Sequence, residues 1–465
     1  MMFSKWGRLK RGLASGLLGI MTLLGSILPV QANEAPIKAP QISQWSIQTL
    51  HEGEKYGIYP MSWYKGDDFQ KQITVDKLKS LLEATSTKLD AIGLSKTGTF
   101  SLPADTTELT REAVLKSLYG VLAQYKLPEA FEIDKYDPIN FLQKKKIVNG
   151  TASGLDLDQP CTVEQAVVLA SRLVDYTYDT AGAGAKGFFW KVTNGGNTLY
   201  LLGSIHLGNS LMYPMKKNIK DAFNASDSLW VEANLLSKDK TELEYFTKLT
   251  TYNDGTTLKN HISQETYEKL QKVTDKLGIP KGAFDPYKPW VVSNNLSMSS
   301  LMEESEDLTQ AANMGVDLYF IQKAMLNEKP VQELEGVKFQ GDLLNSVPAT
   351  EQEKELNQAL DSVLNPSTVK NEGADAFKQW QQLWAKGDVS TFSQSFSANQ
   401  QFVQSETAKR LLGERDKNMA DKLAKLLEKE GSSTSFVVVG AAHFVVKDMT
   451  LDQLKKKGFH VEIIQ

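Results

Sequence analysis

From Met215 to Met449 the sequence alternates long helical patterns with short strand-like runs, and no other feature narrows its fold so far. The strand candidates are Ser228–Glu232, Pro330–Glu335 and Ser435–Val439, and helical patterns at Gln264–Leu277, Val316–Leu326 and Ala408–Glu428 fall between and beside them. Strands that alternate with helices predict an α/β (α+β) domain, a central β-sheet flanked by helices. A hairpin opens this region. Phe189–Val192 and Thr198–Leu202 are separated by Thr193-Asn194-Gly195-Gly196-Asn197, whose glycines accept the positive φ that a tight turn demands.

Upstream lies a region of different character. Between Gln44 and Tyr178, Ile73-Thr74-Val75-Asp76, Leu109-Thr110-Arg111-Glu112 and Cys161-Thr162-Val163-Glu164 each set a threonine N-cap before an amphipathic run. The acidic groups fall in the first turn, where the helix dipole favours them. Such self-similarity predicts an array of short helical units sharing one core. Thr110-Arg111-Glu112-Ala113 and Ile147-Val148-Asn149-Gly150 resemble the repeats of S-layer homology domains, and that resemblance implies a small helical domain over 44–178 that binds cell-wall polysaccharide. Residues 179–187, with Ala181-Gly182-Ala183-Gly184-Ala185, read as a linker, and the α/β domain is expected over 188–465.

The first 32 residues read as an export signal. Lys5, Arg8, Lys10 and Arg11 precede an apolar run from Leu13 to Val30, and Val30-Gln31-Ala32 has the form of a cleavage site. Cleavage takes away four positive charges and no negative ones, so the formal net charge falls from −4 to −8, which argues against nucleic acid as a partner. No later run is long enough to span a bilayer, so no transmembrane segment is expected once the signal is gone. The single cysteine, Cys161, has no partner within the chain for a disulfide. The expected location is extracellular, with attachment to the wall through the N-terminal domain.

Two of the five histidines share one local setting. Leu201-Leu202-Gly203-Ser204-Ile205-His206 and Val438-Val439-Gly440-Ala441-Ala442-His443 both run from an apolar strand through glycine to a histidine. A strand that ends this way delivers an imidazole to the end of the sheet, where ligand sites of α/β folds gather. Glu232 and Glu335 stand at the ends of two further strand candidates, where a carboxylate costs desolvation unless a cation or a partner pairs with it. Two histidines with one or two glutamates suit zinc, manganese, cobalt or iron(II), and three protein ligands leave a position for water. The reaction class this predicts is metal-assisted hydrolysis. A carrier presents the same ligand set, so a non-catalytic binder of metal, haem or a peptide pheromone stays open as the alternative. His51, His261 and His460 lack this context and are expected to be structural or exposed.

A run of landmarks then carries a resemblance over the last 275 or so residues. In order they are Gly203–Gly208, Ser226-Asp227 leading to Glu232, Lys288-Pro289-Trp290, Gly315-Val316-Asp317, Lys329-Pro330-Val331 leading to Leu334-Glu335, Arg415 with Asn418, and Gly440–His443. Together they resemble the TraB/GumN family, which includes the pheromone-shutdown protein TraB and the Tiki-like metalloproteases. The resemblance implies His206, Glu232 and His443 as catalytic and metal residues, with Glu335, Arg415 and Asn418 in support. It further implies a divalent cation (Mn, Co, Zn or Fe) and a peptide or protein substrate. One departure stands out: a valine follows Val445 where the family often has glycine in Val-Gly-Lys-Asp.

Overall fold

A computed structural model describes residues 40–64, 68–104, 108–150, 154–237, 239–301, 308–398, 410 and 412–464. The expected signal segment, residues 1–32, lies outside them. The described residues form two compact units, one of residues 40–185 with Ser210–Lys220, the other of Lys186–Asn209 with residues 221–464. The first unit is therefore not one continuous stretch of chain. None of the described helices is long and apolar enough to cross a membrane.

The first unit is helical: α1 (Ile47–Tyr56), α2 (Val75–Asp90), α3 (Arg111–Ala123), α4 (Pro138–Lys144) and α5 (Val163–Thr180). Thr74, Thr110 and Thr162 cap α2, α3 and α5, each accepting a hydrogen bond from the backbone N–H of Lys77, Ala113 or Gln165. At Thr162 the Gln165 side chain returns the bond, which closes a capping box. The segments leading into the three caps run side by side. Ile73 N–H donates to Cys161 O and Cys161 N–H to Leu109 O, both at 2.9 Å. Leu78, Leu81, Leu115, Leu118, Val167 and Leu173 fill the space between the capped helices and are fully buried.

The second unit is a mixed α/β structure built on a six-stranded sheet of order β4-β3-β5-β2-β1-β6 and flanked by helices. Its strands are β1 (Phe188–Asn194), β2 (Gly196–Ser204), β3 (Ser228–Val231), β4 (Val331–Glu333), β5 (Ser432–Gly440) and β6 (Val461–Ile463). The Asn-Gly-Gly turn makes β1 and β2 an antiparallel hairpin, with Gly195 at φ 56°. Strands β2, β5, β3 and β4 run parallel to one another. Strand β5 sits in the interior, and Phe436, Val437, Val438 and Val439 are completely buried, which is why that stretch is apolar without alternation.

The helices of this unit include α6 (Gln264–Leu277), α7 (Pro289–Ser300), α8 (Val316–Leu326), α9 (Val337–Asn345), α10 (Ala349–Leu364), α11 (Pro366–Lys386), α12 (Glu414–Glu428), α13 (Ala441–Val445) and α14 (Thr450–Lys456). Helices α6, α7 and α10 share an apolar cluster that includes Leu270, Val273, Val292, Leu296, Leu356 and Leu360. Helix α8 packs on the sheet through Phe320, whose ring lies 4.8 Å from that of Phe436. The predicted helix from Ala408 begins, within the long described stretch, at Glu414, where the Asp416 carboxylate accepts from Gly413 N–H at 2.9 Å.

Candidate active site

The parallel pairing of β2 with β5 decides where the two histidines go. Ser204 is opposite Gly440 and Gly203 opposite Val439, so both Gly-x-x-His motifs leave the sheet at the same level. Strand β3 lies on the other side of β5, with Val231 opposite Val438, and Glu232 follows directly. Three chain segments thus leave one edge of the sheet together. His206 is carried by the loop after β2, and His443 by the single turn α13.

Gly440 makes the convergence possible. A Cβ built there would lie 3.1 Å from Glu232 Oε1, 3.6 Å from His443 Cδ2 and 3.8 Å from His206 Nε2. The three side chains therefore surround a space that the absent side chain leaves open. His443 Nε2 and Glu232 Oε2 are 4.0 Å apart. His443 and Glu232 are nearly enclosed, with 7% and 12% of the side chain exposed, while His206 is 48% exposed and borders the solvent.

Glu232 is held from three directions. Its Oε1 accepts from Gly440 N–H at 2.6 Å, and its Oε2 accepts from Gln340 Nε2 at 3.0 Å and Arg415 Nη2 at 3.1 Å. Arg415, on α12, also donates through Nε to Glu335 Oε1 at 2.8 Å and through Nη2 to Glu335 Oε2. One guanidinium thus ties together the carboxylates that follow β3 and β4. Burial alone would raise the Glu232 pKa; the charges of His443, Arg415 and His206 and the Gly440 N–H outweigh it and hold the carboxyl down to about 2. Asn418 behaves differently. A step of three residues falls short of a full helical turn, and it carries Asn418 from the buried edge of α12 to an exposed position.

Each histidine is backed by an aspartate. His206 Nδ1 is 2.7 Å from Asp317 Oδ2, and Asp317 Oδ1 accepts from Ser204 Oγ at 2.6 Å. His443 Nδ1 is 2.9 Å from Asp416 Oδ1, which also accepts from Thr450 Oγ1 at 2.8 Å. The Asp317 charge, opposed by burial, raises the His206 pKa to about 9. Burial raises the Asp416 pKa, but its hydrogen bonds and charge interaction with His443, together with Thr450, bring it below the ordinary carboxylate value.

The loop carrying His206 is clamped against the start of α8. A Cβ on Gly208 would fall 1.8 Å from Met314 O and one on Gly315 would fall 2.2 Å from His206 O, so both positions require glycine for close backbone approach. Gly208 N–H donates to Ala311 O at 2.8 Å and Val316 N–H to Ile205 O at 3.1 Å. From α11, Trp384 Nε1 reaches Gly203 O and Gln381 Nε2 reaches Leu207 O, at 2.6 and 2.9 Å. The valine after Val445, Val446, has φ −80° and ψ 140°, an extended conformation that needs no glycine.

Asp416 and Gln340 belong to this knot of contacts although spacing along the chain did not single them out, whereas Gly440 and Asp317 stand in the sequence as motif landmarks without an assigned role. Asp317 left a local trace, an acid in the first turn of a helix after Gly315. Asp416 sits beside Arg415, but its contact with His443 joins segments far apart in sequence. Among the described residues no group of three His, Cys, Asp or Glu side chains stands in metal-holding geometry. The donor chemistry nonetheless suits a divalent cation: two imidazoles restrained at Nδ1 and a carboxylate held ionised border the space left by Gly440. The other histidines stand apart. His51 is buried in the first unit, His261 is exposed and stacks on Tyr252, and His460 is exposed just before β6.

Comparison with known proteins adds to this geometry. A family model described as the TraB/PrgY/gumN family matches residues 188–463. Uncharacterized protein YbaP of Escherichia coli (strain K12) is 28% identical over 154 residues, covering 33% of this chain and 54% of that protein. Metalloprotease TIKI1 of Danio rerio is 22% identical over 324 residues, covering 61% of this chain and 64% of that protein. Metalloprotease TIKI homolog of Nematostella vectensis is 22% identical over 307 residues, 57% and 64% of the two chains. The chain thus spans about half the length of YbaP and less than two thirds of the two TIKI proteins. No solved structure matches the chain significantly.

Proposed function

Because this chain belongs to the TraB/PrgY/gumN family, we propose that its second unit is a divalent-metal-dependent peptidase, with His206, His443 and Glu232 holding the cation. The observation that carries this reading is the open space at Gly440, bordered at once by two strand-end imidazoles and a carboxylate. The names of two relatives, metalloproteases at 22% identity, agree with it. A cation held there would polarise a scissile carbonyl and activate water for its hydrolysis. His206, the most exposed of the three, borders the route by which a peptide enters. Arg415 and Glu335 orient Glu232 from behind, and Gln340 and the Gly440 N–H fix the carboxylate against rotation. Export through residues 1–32 and anchorage of the first unit on cell-wall polysaccharide complete the proposal, resting on the charge and apolar pattern of the N-terminus and the repeated threonine caps.

One observation favours a second reading, a non-catalytic binder of metal, haem or a peptide pheromone. Glu232 already has Arg415, Gln340 and Gly440 as partners, so its charge is compensated without a metal. Metal analysis of the purified protein with a peptide-library cleavage assay separates the two. Peptidase activity is expected to vanish with a chelator and return with Mn²⁺, Co²⁺ or Zn²⁺. Stoichiometric metal without cleavage would leave the binder, and full cleavage by metal-free protein would end the metal mechanism.

A further inference from the structure

We infer that Asp317 and Asp416 are a matched pair of positioning residues, each holding a histidine through Nδ1 so that Nε2 is the nitrogen offered to the space beside Gly440. This deepens the metal-peptidase reading and rests on it for the metal, though not for the imidazole geometry.

The two arrangements are alike in chemistry and independent in origin. His206 leaves β2 and meets an aspartate in the first turn of α8; His443 sits on α13 and meets an aspartate in the first turn of α12. Each aspartate also accepts from a hydroxyl, Ser204 Oγ at 2.6 Å on Asp317 and Thr450 Oγ1 at 2.8 Å on Asp416. Asp416 is fixed further by the backbone N–H groups of Gly413 and Thr450, at 2.9 and 3.2 Å. Hydroxyl and amide donors leave each carboxylate little freedom to turn, so the direction of the acceptor lone pair facing the imidazole is set by the scaffold. Asp416 is fully buried and Asp317 nearly so, at 0% and 7% exposure.

An aspartate at Nδ1 does two things to a neutral imidazole. It places the proton on Nδ1, leaving the Nε2 lone pair free, and it fixes the ring plane. Without it the ring can invert its tautomer and present N–H toward the metal, or swing about χ2. Two ligands that must meet at one point multiply the cost, because both rings have to be oriented at once.

The test uses the full chain, Co²⁺ as the metal probe and histidine-selective ¹⁵N labelling. Asp317→Asn and Asp416→Asn are each expected to weaken Co²⁺ binding by about ten- to a hundredfold while one site per chain is kept. Ser204→Ala and Thr450→Val, which loosen the aspartates without removing them, should fall between wild type and the asparagine variants. They also guard against an asparagine variant that fails to fold. In metal-free wild-type protein above the pKa of each ring, the nitrogen shifts of His206 and His443 should report Nδ1 protonated and Nε2 bare, and the asparagine variants should shift that balance. Wild-type Co²⁺ affinity in both asparagine variants, or an Nε2-protonated tautomer in wild type, would overturn the inference. If wild type binds no Co²⁺ yet shows the Nδ1-protonated tautomer, the metal reading fails and the positioning role stands.

Discussion

Gly440 is the residue where the smallest chemical change should have the largest effect on the site. Its φ of −47° is open to any L-residue, so Gly440→Ala is free of backbone strain. The added methyl would stand 3.1 Å from Glu232 Oε1, within the space the three side chains share. The variant is expected to melt within a few degrees of wild type while peptidase turnover falls by about 10²-fold, as when a reacting group is displaced by about an ångström. Glu232→Gln separates two roles. As a ligand its loss lowers metal occupancy; as a general base its loss leaves occupancy near normal and slows turnover by roughly 10²- to 10⁴-fold. Metal analysis beside turnover decides between them, and the ligand role is expected.

The charges of the site also set a pH signature. The Glu232 pKa, held down to about 2 against burial by His443, Arg415 and His206, contributes stability present above the ordinary carboxylate value of about 4.3 and lost as pH falls through about 2. The His206 pKa, raised to about 9 chiefly by Asp317, contributes stability present below about 6.5 and lost as pH rises through about 9. Solvent at the half-exposed His206 weakens the second effect. Metal-free protein should therefore melt highest between about pH 4.5 and 6.5, with a steeper loss on the acid side. A flat melting profile from pH 3 to 9 would contradict both assignments.

At the level of elements, local chemistry written in consecutive residues was legible, and strand lengths and the meeting of separate helices were not. The threonine caps, the Asn-Gly-Gly hairpin turn, α6 and α8 all follow from short runs whose backbone preferences agree with their surroundings. The Glu232 position at a strand end was equally readable, because Leu229-Trp230-Val231 stops at a charge. Strand β4, three residues long and at the sheet edge, is shorter than the expected Pro330–Glu335, since pairing with β3 and not sequence pattern sets its length. Asp416 could not be assigned to His443 from spacing, because the contact arises only when α12 and α13 meet. The fusion of the His206 loop with α8 gives a test at this scale. Gly208→Ala and Gly315→Ala would each drive a methyl into a carbonyl oxygen and are expected to destabilise by about 3 kcal/mol or prevent folding, as seen in chemical denaturation. Thr162→Ala, which loses a capping box, should cost only about 1 kcal/mol.

For the whole molecule, the division into two units predicts how the chain behaves when cut. Residues 187–465 expressed alone should unfold cooperatively and keep the site, because the six-stranded sheet and its helices lie within them. The fragment carries one stranded piece of the first unit, Ser210–Lys220. In the intact chain Lys220 pairs with Asp175 and Asp179, at 3.1 and 2.7 Å, and the fragment lacks both carboxylates. Trypsin should therefore cut the fragment at Lys216, Lys217 or Lys220 much faster than the full chain. Equal protection of that stretch in both proteins would contradict the division.

The register of β2 on β5 carries a consequence for how the site fails. Both histidines are launched across one parallel seam of backbone hydrogen bonds between segments remote in the chain, so parting that seam removes both imidazoles together. Single-ligand fraying is then rare, and the site is all or nothing. A tightly bound cation would act as a rivet on the most deeply buried pair of strands. Its expected mark is slower amide exchange along Leu201, Leu202, Val437 and Val438, none of which holds the cation itself, and a slower rate of global unfolding.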